Sequence, residues 1–117
     1  MTNELNKSIA TQIIGLQIIY RQNGRLFRLV RSAGQTSPKW RWHDTEAAAW
    51  SHCPAYDSDI CAAWQVVEKL KDDGWMCVIA VLSKNYSVEF TQDLCFDARE
   101  ESLPRAICLA ALKAVNN

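Results

Sequence analysis

A chain of 117 residues, 49% hydrophobic and 22% charged, is long enough for one domain with a single core and needs no covalent staples. No apolar run approaches the roughly twenty residues of a membrane-spanning helix, which excludes that class. The formal net charge is zero, which argues against a protein built chiefly to bind nucleic acid, since such proteins carry a positive surplus.

The charge is uneven along the chain. Residues 1–43 hold seven basic side chains against Glu4 alone, a net +6, and residues 44–117 carry the balancing −6. Asymmetry of this kind can mark a surface for an anionic partner, or two halves that complement each other. The start, Met1-Thr2-Asn3-Glu4-Leu5, has no cationic flank followed by an apolar core, so no signal peptide is expected and the protein is read as cytoplasmic. The five cysteines, Cys53, Cys61, Cys77, Cys95 and Cys108, are odd in number and widely spaced. In a reducing compartment they are expected to be free thiols, with Cys77 and Cys108 as small core residues.

In chain order, Leu5, Ile9 and Ile13 recur every four residues, which predicts a helix from Asn3 to about Gly15. Asn23-Gly24 then lies between two apolar-rich runs, Leu16–Gln22 and Arg25–Arg31. Asn-Gly favours the type I′ turn, in which both central residues need positive φ, so a β-hairpin is expected. Its register pairs Arg21 with Leu26, Tyr20 with Phe27, Ile19 with Arg28 and Ile18 with Leu29. One face, with Ile18, Tyr20, Phe27 and Leu29, is expected to be core. The other, with Ile19, Arg21, Leu26, Arg28 and Val30, is mixed and partly wet.

Ser32 to Lys39 reads as a loop, Trp40-Arg41-Trp42 as a short extended piece, and Glu46–Ser51 as a short helix capped by Asp44 or Thr45. Asp57 or Ser58 is expected to cap a long helix running to about Asp73 and stopped by Gly74. Its inward stripe is read as Ile60, Ala63, Trp64, Val67 and Leu70, with Trp64 as a core anchor. Trp75–Leu82 is apolar without alternation, as for a strand covered on both faces. Tyr86, Val88 and Phe90 alternate with polar residues, which predicts a half-exposed strand, and Leu94–Ala98 a further one. Ser102 caps the last helix, with Pro104 in its first turn. The sum is an α/β (α+β) chain: an α-β-α sandwich with a mostly antiparallel sheet of about four to five strands and helices packed on it.

Two blocks of this pattern resemble a known family. Pro54-Ala55-Tyr56-Asp57-Ser58-Asp59-Ile60-Cys61-Ala62-Ala63-Trp64-Gln65-Val66-Val67-Glu68-Lys69-Leu70, followed by Leu103-Pro104-Arg105-Ala106-Ile107-Cys108-Leu109-Ala110-Ala111-Leu112-Lys113-Ala114, looks like the phage ABA sandwich domain proteins. The resemblance covers residues 50–115 well and the hairpin poorly. It implies a single phage ABA sandwich-like domain over residues 1–117, a setting in phage infection and an accessory role. It brings no catalytic residues with it.

Chemistry-bearing groups are sparse. His43, His52, Cys53 and Cys61 cluster in sequence but lack the tight paired spacing of a zinc site, so no metal is expected. Ser51-His52-Cys53 puts a thiol beside an imidazole, yet sequence neighbours rarely face each other, and the segment reads as the end of a short helix. Asp57 and Asp59 read as a cap and a first-turn residue. No phosphate-binding glycine motif is present. The expectation is therefore a non-enzymatic protein with no catalytic residue and no cofactor.

What remains is binding. Arg21 and Arg28 share a hairpin face, and Trp40-Arg41-Trp42 follows. Guanidinium groups hold oxyanions and indoles stack on bases, although the same residues also build protein interfaces or a solvated strand face. The candidate site is Arg21, Arg28, Trp40 and Arg41, with Tyr56 at its edge before the long helix. The expected partner is a host defence protein or an anionic, nucleotide-type small molecule. Nucleic acid is the weaker alternative, no membrane is expected, and a homo-oligomer is compatible with all of these. The reading is a small phage or prophage accessory protein acting in counter-defence by binding.

Overall fold

Asn3 begins the first helix because its side-chain carbonyl accepts the N–H of Asn6 at 2.7 Å, one of the donors that a helix start leaves unpartnered. Helix α1 spans Glu4–Ile9 and continues as a wider π-helical turn over Ala10–Ile14. Gly15 ends it in the left-handed conformation, φ +86°, its N–H donating to the carbonyl of Ala10 at 2.8 Å. This computed structural model describes residues 3–31 and 40–116, Arg31 by its backbone alone, so the loop expected over Ser32–Lys39 lies outside the described residues.

Strands β1 (Leu16–Arg21) and β2 (Leu26–Arg31) pair antiparallel in the expected register, with Tyr20 opposite Phe27 and Ile19 opposite Arg28. Asn23 and Gly24 have φ of +56° and +81°, and Arg25 donates its N–H to Gln22 at 3.2 Å, which closes the type I′ turn. The faces are less cleanly divided than the pattern implies. Leu16, Leu29 and Val30 are buried at the base, while Tyr20, expected in the core, is 61% exposed near the tip. The hairpin is covered at one end on both faces and stands clear of cover at the other.

His43 adds one antiparallel bridge on the far side of β2: Phe27 donates to His43 at 2.9 Å and His43 to Phe27 at 2.8 Å. The chain at Trp40-Arg41-Trp42 thus runs beside β2, as an extended piece should. Thr45 caps helix α2 (Glu46–Trp50), its hydroxyl accepting the N–H of Ala48 at 3.1 Å. The contacts divide the chain into two compact units, Met1–Pro54 and Ala55–Asn117. In the first, Ile9, Ala10, Ile13, Leu16, Leu29, Val30 and Ala49 are buried.

In the second unit the carbonyl of Ala55 accepts from both Ser58 and Asp59, at 3.1 and 2.8 Å. This turn postpones the long helix, so Asp59, rather than Asp57 or Ser58, is the cap, accepting the N–H of Cys61 at 2.9 Å. Helix α3 spans Ile60–Asp72. Gly74, at φ +94°, stops it: Gly74 donates to Lys71 and Trp75 to Leu70, which satisfies the last carbonyls. Its buried stripe is Ala62, Ala63, Val66, Val67 and Leu70, not the one expected through Ile60 and Trp64. The difference is a small rotation about the helix axis, and packing explains it. Helix α4 (Leu103–Val115) buries Ala106, Ala110, Ala111 and Ala114, and α3 packs against α4. Small side chains on both helices allow close approach, and the bulkier Trp64 is left 47% exposed.

Strands β3 (Met76–Val81), β4 (Tyr86–Thr91) and β5 (Cys95–Glu100) form an antiparallel sheet in the order β3-β4-β5. Short turns between consecutive strands put the middle one in the centre, so β4 is central and β3 is an edge. Val88 and Phe90 of β4 are fully buried beneath α4. The apolar strand expected to be covered on both faces is therefore an open edge, and both helices of this unit lie on one face of its sheet. Among the described residues the five antiparallel strands fall into sheets of two and three rather than one, within an α+β fold.

Candidate functional site

The antiparallel bridge at Phe27 and His43 sets Arg28 of β2 across from Trp42. Arg21 projects from the same hairpin face, since Ile19 is opposite Arg28 and side chains alternate along a strand. The two guanidinium groups converge on the Trp42 ring, Arg21 at 4.2 Å and Arg28 at 5.8 Å from its centroid. Both are within cation–π range. Arg28 also donates its Nε–H to the carbonyl of Trp40 at 2.8 Å, tying the extended piece to the hairpin. Arg21, Arg25 and Arg41 are exposed. None of the four arginines has a carboxylate partner among the described residues, whose only ion pairs are Lys69–Asp73 and Arg105–Glu100.

Of the sequence candidates, Arg21 and Arg28 come together, and Trp42 rather than Trp40 provides the ring between them. Trp40 contributes its backbone carbonyl and is half-buried. Arg41 is exposed nearby in sequence. Tyr56 is a correction: it is 1% exposed and belongs to the second unit, so its ring is a packed core group and cannot face a ligand. The start of α3 is likewise engaged, since the Asp59 carboxylate accepts the N–H of Cys61 there.

Sequence spacing groups His43 and His52 only as a cluster too loose for zinc; the fold joins the two rings directly. Their Nε2 atoms lie 2.8 Å apart and their ring centroids 4.8 Å, so the Nε2–H of one ring donates a hydrogen bond to the unprotonated Nε2 of the other. Burial, then the charges of His43 and Arg41, lower the pKa of His52 from its ordinary value. Cys53 does not complete a nucleophilic pair. Its thiol donates to the carbonyl of Asn6 at 3.7 Å, and burial pushes its pKa up to about 11 despite Lys7, so it is protonated near neutrality. No group of three or more metal-ligating side chains exists among the described residues. The cysteines are free thiols. Cys108 is buried with its pKa pushed to about 12 by burial and Asp57, while Cys61 and Cys95 are exposed.

A second surface feature lies between α3 and β3, in the second unit. Trp64, Lys71, Trp75, Met76, Cys77 and Ile79 line a groove of about 600 Å³. Hydrophobicity along Trp75–Leu82 signalled burial here; what it could not signal was the strand's place in the sheet.

Among the described residues, no helix is long and apolar enough to cross a membrane. No curated protein and no solved structure matches the chain significantly. The model of the phage ABA sandwich domain matches residues 7–112, across both units, and the chain belongs to that family.

Proposed function

We propose that the protein is a phage or prophage accessory protein that acts by binding, without catalysis, in counter-defence: it inhibits a host immune protein or sequesters a nucleotide-type immune signal in the host cytoplasm. The observation that carries this reading is the Arg21–Trp42–Arg28 cluster, with exposed Arg41 next to Trp42 in sequence: guanidinium groups that have no carboxylate partner among the described residues. Their free N–H edges suit oxyanions, and an indole beside them suits a base or another aromatic. The first unit holds seven basic against three acidic side chains, a net +4, so an anionic partner is drawn to it. The same surplus supports a second reading, a nucleic-acid-binding accessory protein.

Tryptophan fluorescence titrations with cyclic dinucleotides, linear dinucleotides and a short oligonucleotide separate the two. Saturable binding of a small nucleotide supports sequestration; oligonucleotide binding with a steep salt slope supports the second reading. In either case the Arg21→Ala/Arg41→Ala double variant should bind at least ~10-fold more weakly, in line with the loss of charge-assisted contacts. Phage plaquing on hosts carrying defence systems reads the inhibitor form. A double variant that binds and plaques like the wild type would show that the arginines are only a solvated face.

A further inference from the structure

We infer that the free edge of β3 pairs with β3 of a second copy, antiparallel about a two-fold axis at Ile79, joining two three-stranded sheets into one of six strands. Among the described residues β3 has a partner strand on one side only. The hydrogen-bonding phase of the strand is fixed by its turn: Leu82 donates its N–H to Asn85 across the hairpin at 2.9 Å. Backbone groups alternate in direction along an antiparallel strand, so those of Met76, Val78 and Ala80 point at β4. Those of Cys77, Ile79 and Val81 point outward, presenting three donors and three acceptors.

That set is complementary to itself. With Ile79 opposite Ile79 of the second copy, Cys77 falls opposite Val81 and Val81 opposite Cys77. Each of the three pairs exchanges two hydrogen bonds, and every outward donor and acceptor is used. Edge strands are commonly guarded by lysine, proline or a bulge, and β3 has none of these. From Trp75 to Leu82 the chain carries no charge, so self-pairing brings no like charges together.

The side chains around this edge are apolar and uncovered. Met76 is 61% exposed and Val81 76%, with Val78, Leu82, Trp64 and Ile60 also exposed. Edge pairing sets these side chains beside their counterparts in the second copy, so that each sheet covers part of the other's apolar border. The groove between α3 and β3 lies on the same side as Trp64 and would receive side chains of the second copy.

Sedimentation of the full chain and native mass spectrometry test this. The wild type should run at twice 13.3 kDa, and Val78→Lys/Val81→Lys should raise the dissociation constant at least ~100-fold, because it restores the charged guards of an edge strand. Both side chains are exposed in the single chain, so the circular dichroism spectrum should not change. Amide exchange gives a second measurement: Cys77, Ile79 and Val81 should be protected in the wild type and exchange quickly in the lysine variant. The Arg21→Ala/Arg41→Ala variant should remain dimeric, which keeps this test separate from that of the binding site. A wild type that stays monomeric at high concentration overturns the inference, even if another protein binds the edge. So does a dimer that the two lysines leave intact.

Discussion

Arg28 differs from Arg21 and Arg41 in what its side chain holds. Its Nε–H anchors the carbonyl of Trp40 and its guanidinium borders Trp42, so it fastens a chain segment held, among the described residues, by a single backbone bridge. Arg28→Ala should therefore cost ~1–2 kcal/mol, the worth of a charge-assisted hydrogen bond with a weak cation–π contact. Arg41→Ala should stay within ~0.5 kcal/mol, as exposed charges do. Chemical denaturation of the two variants checks this, and equal losses would show that the Arg28 bond is not structural.

His52 gives the first unit a pH dependence with a definite sign. Its folded pKa is lowered, so the unfolded chain binds a proton more readily than the folded one. Its contribution is present above the unfolded value near 6.5 and is lost as pH falls through the folded value. Melting curves across that range for the wild type and His52→Gln should diverge on the acid side, with the variant less sensitive. Parallel curves would mean that the pair is not titrating. Neither the pairing of the two rings nor the protonated state of Cys53 was legible in the sequence. His43 reaches His52 only because a loop is pulled against β2, and a single bridge leaves no periodic trace.

At the scale of elements, local rules were the most legible. Thr45 and Ser102 cap their helices, Gly15 and Gly74 stop theirs, and Asn23-Gly24 sets the hairpin register. Each depends on a few neighbouring residues. The α3 stripe was misjudged because two overlapping stripes satisfy helical periodicity, and the alanine face of α4 decides between them. Phe90→Ala should cost ~3–5 kcal/mol, while Trp64→Ala should cost only ~2 kcal/mol in the single chain, because nearly half of the indole already meets water. Denaturation midpoints of the two variants, both in the monomeric lysine-edge background, test that order. A larger loss at Trp64 would restore the stripe expected from periodicity.

For the whole molecule, the order of the expected elements pointed correctly to an α+β chain and the helix blocks to its family. What the sequence obscured was non-local. An unbroken apolar run looks the same at the centre of a sheet as at an edge awaiting a partner, and only the order β3-β4-β5 tells them apart. The candidate site was half legible: alternation placed Arg21 and Arg28 on one face, but the ring between them depended on a bridge across a long connection, and Tyr56 looked available only because its burial is tertiary.

The division of the chain after Pro54 bears on how the protein behaves in a test tube. The first unit carries a net +4 and the second, by the same count, −4, with an overall isoelectric point of about 6.7. Near neutral pH the molecule has no net repulsion to keep copies apart, while opposite units of different copies attract. Dilute buffer should therefore cloud a concentrated solution and added salt should clear it, since ions screen that attraction within about a nanometre. Preparations handled at low ionic strength will show association that owes nothing to the edge of β3.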